Sequence, residues 1–306
     1  MTTKPGLFSG VLVPALTPFK PDLAPDAERF TALCRYLLAE GANGLAVFGT
    51  TSEGNSISVA ERNQLLDHLA ADGLDTSTLL PGTGACALTD AVELTRHAVN
   101  IGAGGVLVLP PFYYKNQSDD GYYAYFSEII QRIGDAKLKL YLYHFPQMSA
   151  APISMDLIAR LHGDYPDTVV GLKDSSGDWN GTKRMIGEFP QMAIFPSSET
   201  LLRDGLTLGA AGCISATANV QVGAIRKLID AHGYPEADAL HTQVAAVRSV
   251  FEGYPLVPAL KATLARDTGD EAWQVLRPPF MPMGAEKAAE LGNSLVSIAG
   301  YSPVTL

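Results

Sequence analysis

Cysteine is scarce in this chain. Three occur in 306 residues, Cys34, Cys86 and Cys213, with no CxxC pair among them. His97, His144 and His162 are not spaced as companion ligands either. A disulfide framework or zinc site is therefore not expected, and no metal is assigned; the odd thiol count suits a reducing, cytoplasmic setting. Charge is also sparse, at 18% of residues, and biased: 22 basic against 32 acidic side chains, a net −10. With no run of five basic residues, nucleic acid is excluded as a main partner, because phosphate binding needs clustered Lys and Arg. Long apolar runs are missing too. The first apolar stretch, 11–19, is interrupted by Pro14 and Pro18, so neither a secretory leader nor a membrane span is expected.

What is present is core-forming material. Apolar residues make up 47% of the chain, enough for one domain of roughly 200–250 residues with an appendage. Short runs of small or β-branched apolar residues recur at 10–16, 44–48, 78–81, 105–109, 138–144, 169–173, 193–196 and 212–215. They are continuous rather than alternating, as in strands buried on both faces. Amphipathic stretches of crossover-helix length separate them. Residues 24–40 place Phe30, Leu33, Cys34, Leu37 and Leu38 on one face before Gly41, and Ser58 with Glu61 has capping-box spacing. Eight strand-then-helix units predict an α/β (β/α)8 TIM barrel over 1–234. Residues 235–306 carry only helical patterns and are expected to form a helical extension packed on the barrel.

One motif is a decoy. Gly82-Thr83-Gly84-Ala85-Cys86-Ala87 approaches a dinucleotide fingerprint, but the next strand region, 102–110, lacks the acid that would bind the ribose. A turn at a strand end is the better reading, and no cofactor is assigned.

In such a barrel, chemistry belongs at the C-terminal ends of the strands. Lys173 ends an apolar run there, where partial loss of its water shell favours the neutral, nucleophilic amine. The alternative is a strand-end lysine turned to solvent or paired with Asp174. Tyr143, at the end of the preceding strand, offers a phenol for proton shuttling, or else a rim aromatic. Thr50 and Thr51, in a glycine-flanked turn, offer hydroxyls and backbone N–H groups suited to a small carboxylate. His144 points to the opposite face by strand alternation. Trp179 and Trp273 are expected to be packing anchors, and Arg277-Pro278-Pro279 a turn packing the appendage.

At these residues the chain resembles the pyruvate-dependent class I aldolases and lyases that include dihydrodipicolinate synthase and N-acetylneuraminate lyase. The shared motifs are GTT-x-E at 49–53, P-[FY]-Y at 111–113, Y-x-x-P at 143–146 and G-x-K-[DE]-x-[ST]-G-D at 171–178. The resemblance spans nearly the whole chain and implies a TIM barrel with C-terminal helices, assembled as a homotetramer. It implies that Lys173 forms a Schiff base with a 2-oxo acid and that Tyr143 is the acid/base phenol. Thr50 and Thr51 would hold the carboxylate and extend the proton relay, Thr51 being counted with the catalytic residues. Tyr113, or Tyr114 if the alignment slips, would be the relay tyrosine lent by a neighbouring subunit. Ser198, Glu199 and Ile214 match positions near the substrate, and Ser175 is added to the substrate-binding set for its polar side chain after the Lys173 strand.

Two departures stand out. Family members that condense pyruvate with aspartate semialdehyde carry Arg two residues after the Pro of Y-x-x-P, where this chain has Met148, a thioether that cannot give a bidentate charged contact. Ser52 and Ser198 replace glycines. The expected reaction is therefore reversible aldol cleavage of a 2-oxo-3-deoxy sugar acid, or a related hydroxy-oxo acid, to pyruvate and an aldehyde, without metal or organic cofactor. A dihydrodipicolinate synthase with altered recognition, a sugar-acid dehydratase and a non-catalytic oxo-acid-binding barrel are the alternatives.

Overall fold

The computed structural model describes residues 6–306. Seven strands form ladders: β1 (Gly10–Val13), β2 (Gly44–Leu45), β3 (Val106–Val108), β4 (Leu140–His144), β5 (Val169–Asp174), β6 (Ala193–Pro196) and β7 (Gly212–Ile214). All pair in parallel, in the orders β2-β1-β7 and β3-β4-β5-β6. Two junctions join these sheets into a ring. On one side residues 79–82 lie between β2 and β3, with Leu80 N–H donating to Leu45 O (2.9 Å) and Leu107 N–H to Pro81 O (2.9 Å). On the other, Ala211 N–H donates to Ile194 O at 2.9 Å.

The strand expected at 78–81 is thus a stave of isolated bridges, Leu45 with Leu79 and Gly82 with Leu107. Pro81 explains the difference, since it has no N–H to extend a ladder. Crossover helices follow the strands. The first runs over Ala27–Ala39 rather than 24–40, because the Asp26 side chain caps it by accepting from Arg29 N–H. The Ser58–Glu61 capping box forms as read, ahead of helix Val59–Ala71.

Side chains of opposite parity along the strands separate two environments. Val13, Val47, Val108, Leu142 and Leu172 pack outward under the helices, whereas Leu12, Ala46, Leu80, Leu107, Tyr141, Tyr143, Phe195 and Ile214 fill the lumen. The lumen is closed at its floor: Phe8 N–H donates to the Tyr141 phenol oxygen at 3.0 Å, and the two rings lie 5.9 Å apart. Gly171 makes room for that phenol, for a Cβ there would fall 2.2 Å from Tyr141 Cδ1.

The C-terminal helices Ala237–Glu252, Leu256–Thr268 and Ala285–Val296 share one hydrophobic core with the first and last barrel helices. Trp273, 1% exposed, anchors this region. Trp179 is half-buried beside the Lys183 ammonium. No helix among the described residues is long and apolar enough to cross a membrane.

Candidate active site

β4 and β5 pair with Tyr143 opposite Lys173. Both side chains are buried, at 4% and 5% exposed, in the upper lumen. The Lys173 Nζ lies 4.5 Å from the Tyr143 ring centroid. The alternative of a pair with Asp174 fails, because that carboxylate belongs to the other face, where it accepts from Ser176 N–H (2.9 Å) and the Thr182 hydroxyl. His144 also faces away from the lumen: its Nδ1 accepts from Ile153 N–H at 3.0 Å, and burial pushes its pKa down.

The Tyr143 phenol and the Thr50 hydroxyl share a hydrogen bond at 3.2 Å. Of the two threonines expected to extend a relay, it is Thr50 whose hydroxyl meets the phenol, while Thr51, counted with the catalytic residues, is buried in the turn. Adjacent turn residues have opposite outlooks, and spacing alone does not tell them apart. The turn is bounded by two non-glycine residues in the left-handed region, Phe48 (φ 61°) and Glu53 (φ 55°), and is closed by Gly54 N–H donating to Gly49 O at 2.9 Å. The Thr17 hydroxyl holds Ser52 O at 2.8 Å. Buried Arg62 holds Gly54 O and, at 3.2 Å, Ile57 O. A small cleft beside Thr50 and Tyr143 is lined by Asn55, Gly84 and Leu109. The glycines of the decoy motif thus serve as close-packed wall: a Cβ on Gly84 would fall 2.4 Å from Leu109 N.

The other assigned residues divide. Ile214 is in the lumen among Leu12 and Phe195. Ser175 sits half-buried at the rim after β5, its N–H donating to His144 O at 2.8 Å. The Ser198 hydroxyl caps a short helical turn by accepting from Thr200 N–H at 3.3 Å. Glu199 requires a correction as a substrate-binding group. It is fully covered, and its oxygens already accept from Ser215, Thr217 and Gln221. Three donors without a cation satisfy this carboxylate internally, so it braces the wall after β7.

Tyr113 and Tyr114 are 72% and 73% exposed, edge-on to each other with centroids 5.3 Å apart, and neither enters this chain's own lumen. Met148 is 62% exposed on the turn Pro146–Ser149, with no guanidinium at that position. Lys261 was not singled out from the sequence, although a lone cation inside the apolar run 256–265 was a readable signal. Its ammonium pairs with Glu53 at 2.6 Å, both side chains fully buried. Burial raises the Glu53 pKa and lowers that of Lys261, while each partner's charge opposes the shift.

Comparison with known proteins identifies the family and the fold. The model of the dihydrodipicolinate synthetase family matches residues 7–298. A Chloroflexus aurantiacus protein named as an uncharacterized DapA-like lyase is 37% identical, covering 96% of this chain and 98% of its own. A 4-hydroxy-tetrahydrodipicolinate synthase of Kineococcus radiotolerans is 30% identical over 98% and 96% of the two chains. Among solved structures, dihydrodipicolinate synthase from Agrobacterium tumefaciens superposes with a TM-score of 0.88 at 30% identity, covering 95% of this chain and 99% of that one. YagE of E. coli K12, solved with pyruvate, gives 0.87 at 26% identity over 95% and 99%.

Proposed function

We propose, from the premise that this chain belongs to the dihydrodipicolinate synthetase family, that Lys173 forms a Schiff base with a 2-oxo acid and cleaves it to pyruvate and an aldehyde. The chain is a lyase of the class I aldolase kind and shares the TIM-barrel fold of its neighbours. One observation carries the finer reading. A buried amine lies against a phenol that is itself hydrogen-bonded to a threonine hydroxyl, all at one barrel mouth.

The Lys173 amine adds to C2 of the oxo acid while the Thr50–Thr51 turn holds its carboxylate. Loss of water gives a protonated imine, an electron sink that makes a cofactor unnecessary to the step. Tyr143 takes the proton from the C4 hydroxyl, relayed through Thr50. The C3–C4 bond breaks, the aldehyde leaves, and the electron pair forms a lysine-bound enamine. Protonation at C3 and addition of water to C2 release pyruvate and restore the amine. Tyr113, turned outward on its own chain, is assigned to a neighbouring subunit's relay, which requires at least a second subunit; the family resemblance implies a homotetramer. Cys34, Cys86 and Cys213 are all free thiols, which fits a cytoplasmic setting.

A 2-oxo-3-deoxy sugar acid or related hydroxy-oxo acid suits the rim, where Ser175 offers a hydroxyl and Met148 no charge. The synthase names among the relatives favour condensation as the second reading. Borohydride trapping with pyruvate tests the core of the proposal. Wild-type protein is labelled on Lys173 and Lys173→Ala is not; undiminished labelling of the variant would refute it. A lactate dehydrogenase-coupled screen of hydroxy-oxo acids, run beside pyruvate with an aldehyde panel, separates cleavage from condensation.

A further inference from the structure

We infer that Glu53 and Lys261 are positioning residues for the carboxylate-binding turn, through which the C-terminal helical region sets the placement of Thr50. The inference rests on the aldolase reading for its kinetic consequence only. Glu53 follows Thr50 and Thr51 in the turn, and its left-handed backbone (φ 55°) is a conformation that is unfavourable for a residue with a Cβ. Something must hold it there. The carboxylate pairs with Lys261 of helix Leu256–Thr268 at 2.6 Å, and its other oxygen accepts from Arg277 N–H at 3.3 Å.

The cations are themselves fixed. Lys261 donates to Val275 O at 2.9 Å, and its ammonium lies 4.5 Å from the Phe19 ring centroid. The Arg277 guanidinium lies 4.7 Å from the same ring and donates to Ser56 O at 2.7 Å, further along the turn. All the residues of this clamp, Glu53, Ser56, Phe19, Lys261, Val275 and Arg277, therefore lie outside the barrel strands. A buried ion pair is a poor device for stability alone, because an apolar pair of similar volume commonly does as well. What it adds is direction: one carboxylate orientation, one turn conformation and one position for the hydroxyl that meets Tyr143.

The test compares wild type, Glu53→Gln and the double variant Glu53→Gln/Lys261→Met, the last of which leaves no buried charge unpaired. Backbone amides 50–54 are followed by hydrogen exchange, and the pyruvate dependence of Lys173 trapping by mass spectrometry. In Glu53→Gln, exchange in 50–54 accelerates and half-saturating pyruvate rises, each about tenfold, while label at saturation still reaches Lys173. In the double variant the melting temperature recovers but half-saturation stays raised. Recovery of both in the double variant, or unchanged exchange at 50–54 in Glu53→Gln, overturns the inference. A wild type that takes no label refutes the aldolase reading instead, and the exchange data then decide the positioning role by themselves.

Discussion

At the scale of single residues, the site depends on two short contacts. Replacing Tyr143 with Phe keeps the ring against Lys173 and removes the proton-carrying oxygen. Turnover is expected to fall by about 100- to 10,000-fold while imine still forms, as measured by the coupled assay beside borohydride trapping. Wild-type turnover would remove the phenol from the mechanism. Thr50→Val is expected to lose about tenfold in kcat and Thr51→Val markedly less, because only the Thr50 hydroxyl reaches the phenol. The amine and phenol were legible in the sequence because each ends an apolar run. The choice between the two threonines was not, since it depends on a turn whose left-handed residues, Phe48 and Glu53, carry no glycine signature. Glu199 misled for a related reason: an acid after a strand reads as a ligand until Ser215, Thr217 and Gln221, from distant positions, are seen to occupy it.

At the scale of elements, the pairing of β4 with β5 decides whether Tyr143 and Lys173 meet, and the register shifts between Leu140 and Tyr141. Gly171 sits at that irregularity. Gly171→Ala would put a Cβ 2.8 Å from Ala193 O as well as against Tyr141, and the backbone contact cannot swing away. A loss of about 3 kcal/mol in denaturant unfolding is expected, with reduced imine formation; an unchanged midpoint would show that the strand tolerates the methyl. Continuous apolar runs disclosed the strands because both faces are buried. The stave at 79–82 was read as an ordinary strand, since Pro81's missing donor matters only once its neighbours are known. The helix start at Ser58 was legible from its capping-box spacing with Glu61, whereas the Asp26 cap, which has no such partner three residues on, was not read and the helix was begun too early.

At the scale of the whole molecule, the extension is bonded to the barrel as well as packed on it. Arg277 holds Glu61 of helix Val59–Ala71, with Nη1 2.9 Å from Oε2. That hydrogen-bonded pair, opposed by partial burial, lowers the Glu61 pKa from 4.5 to about 2. The unfolded chain therefore binds this proton first as pH falls. The stabilisation is complete above pH 4.5 and disappears as pH drops towards 2. Glu61→Gln is expected to lower the melting temperature at neutral pH and to flatten its decline across that acid window; parallel curves would deny the linkage. Barrel and helical tail were foreseeable from the count of units, whereas the ties between them join residues more than 200 positions apart. Phe8, meeting Tyr141 beneath the reacting groups, has a consequence for traffic. With that end stopped by the Phe8–Tyr141 contact, the aldehyde, water and pyruvate of the proposed reaction would all have to use the opposite mouth, one after another.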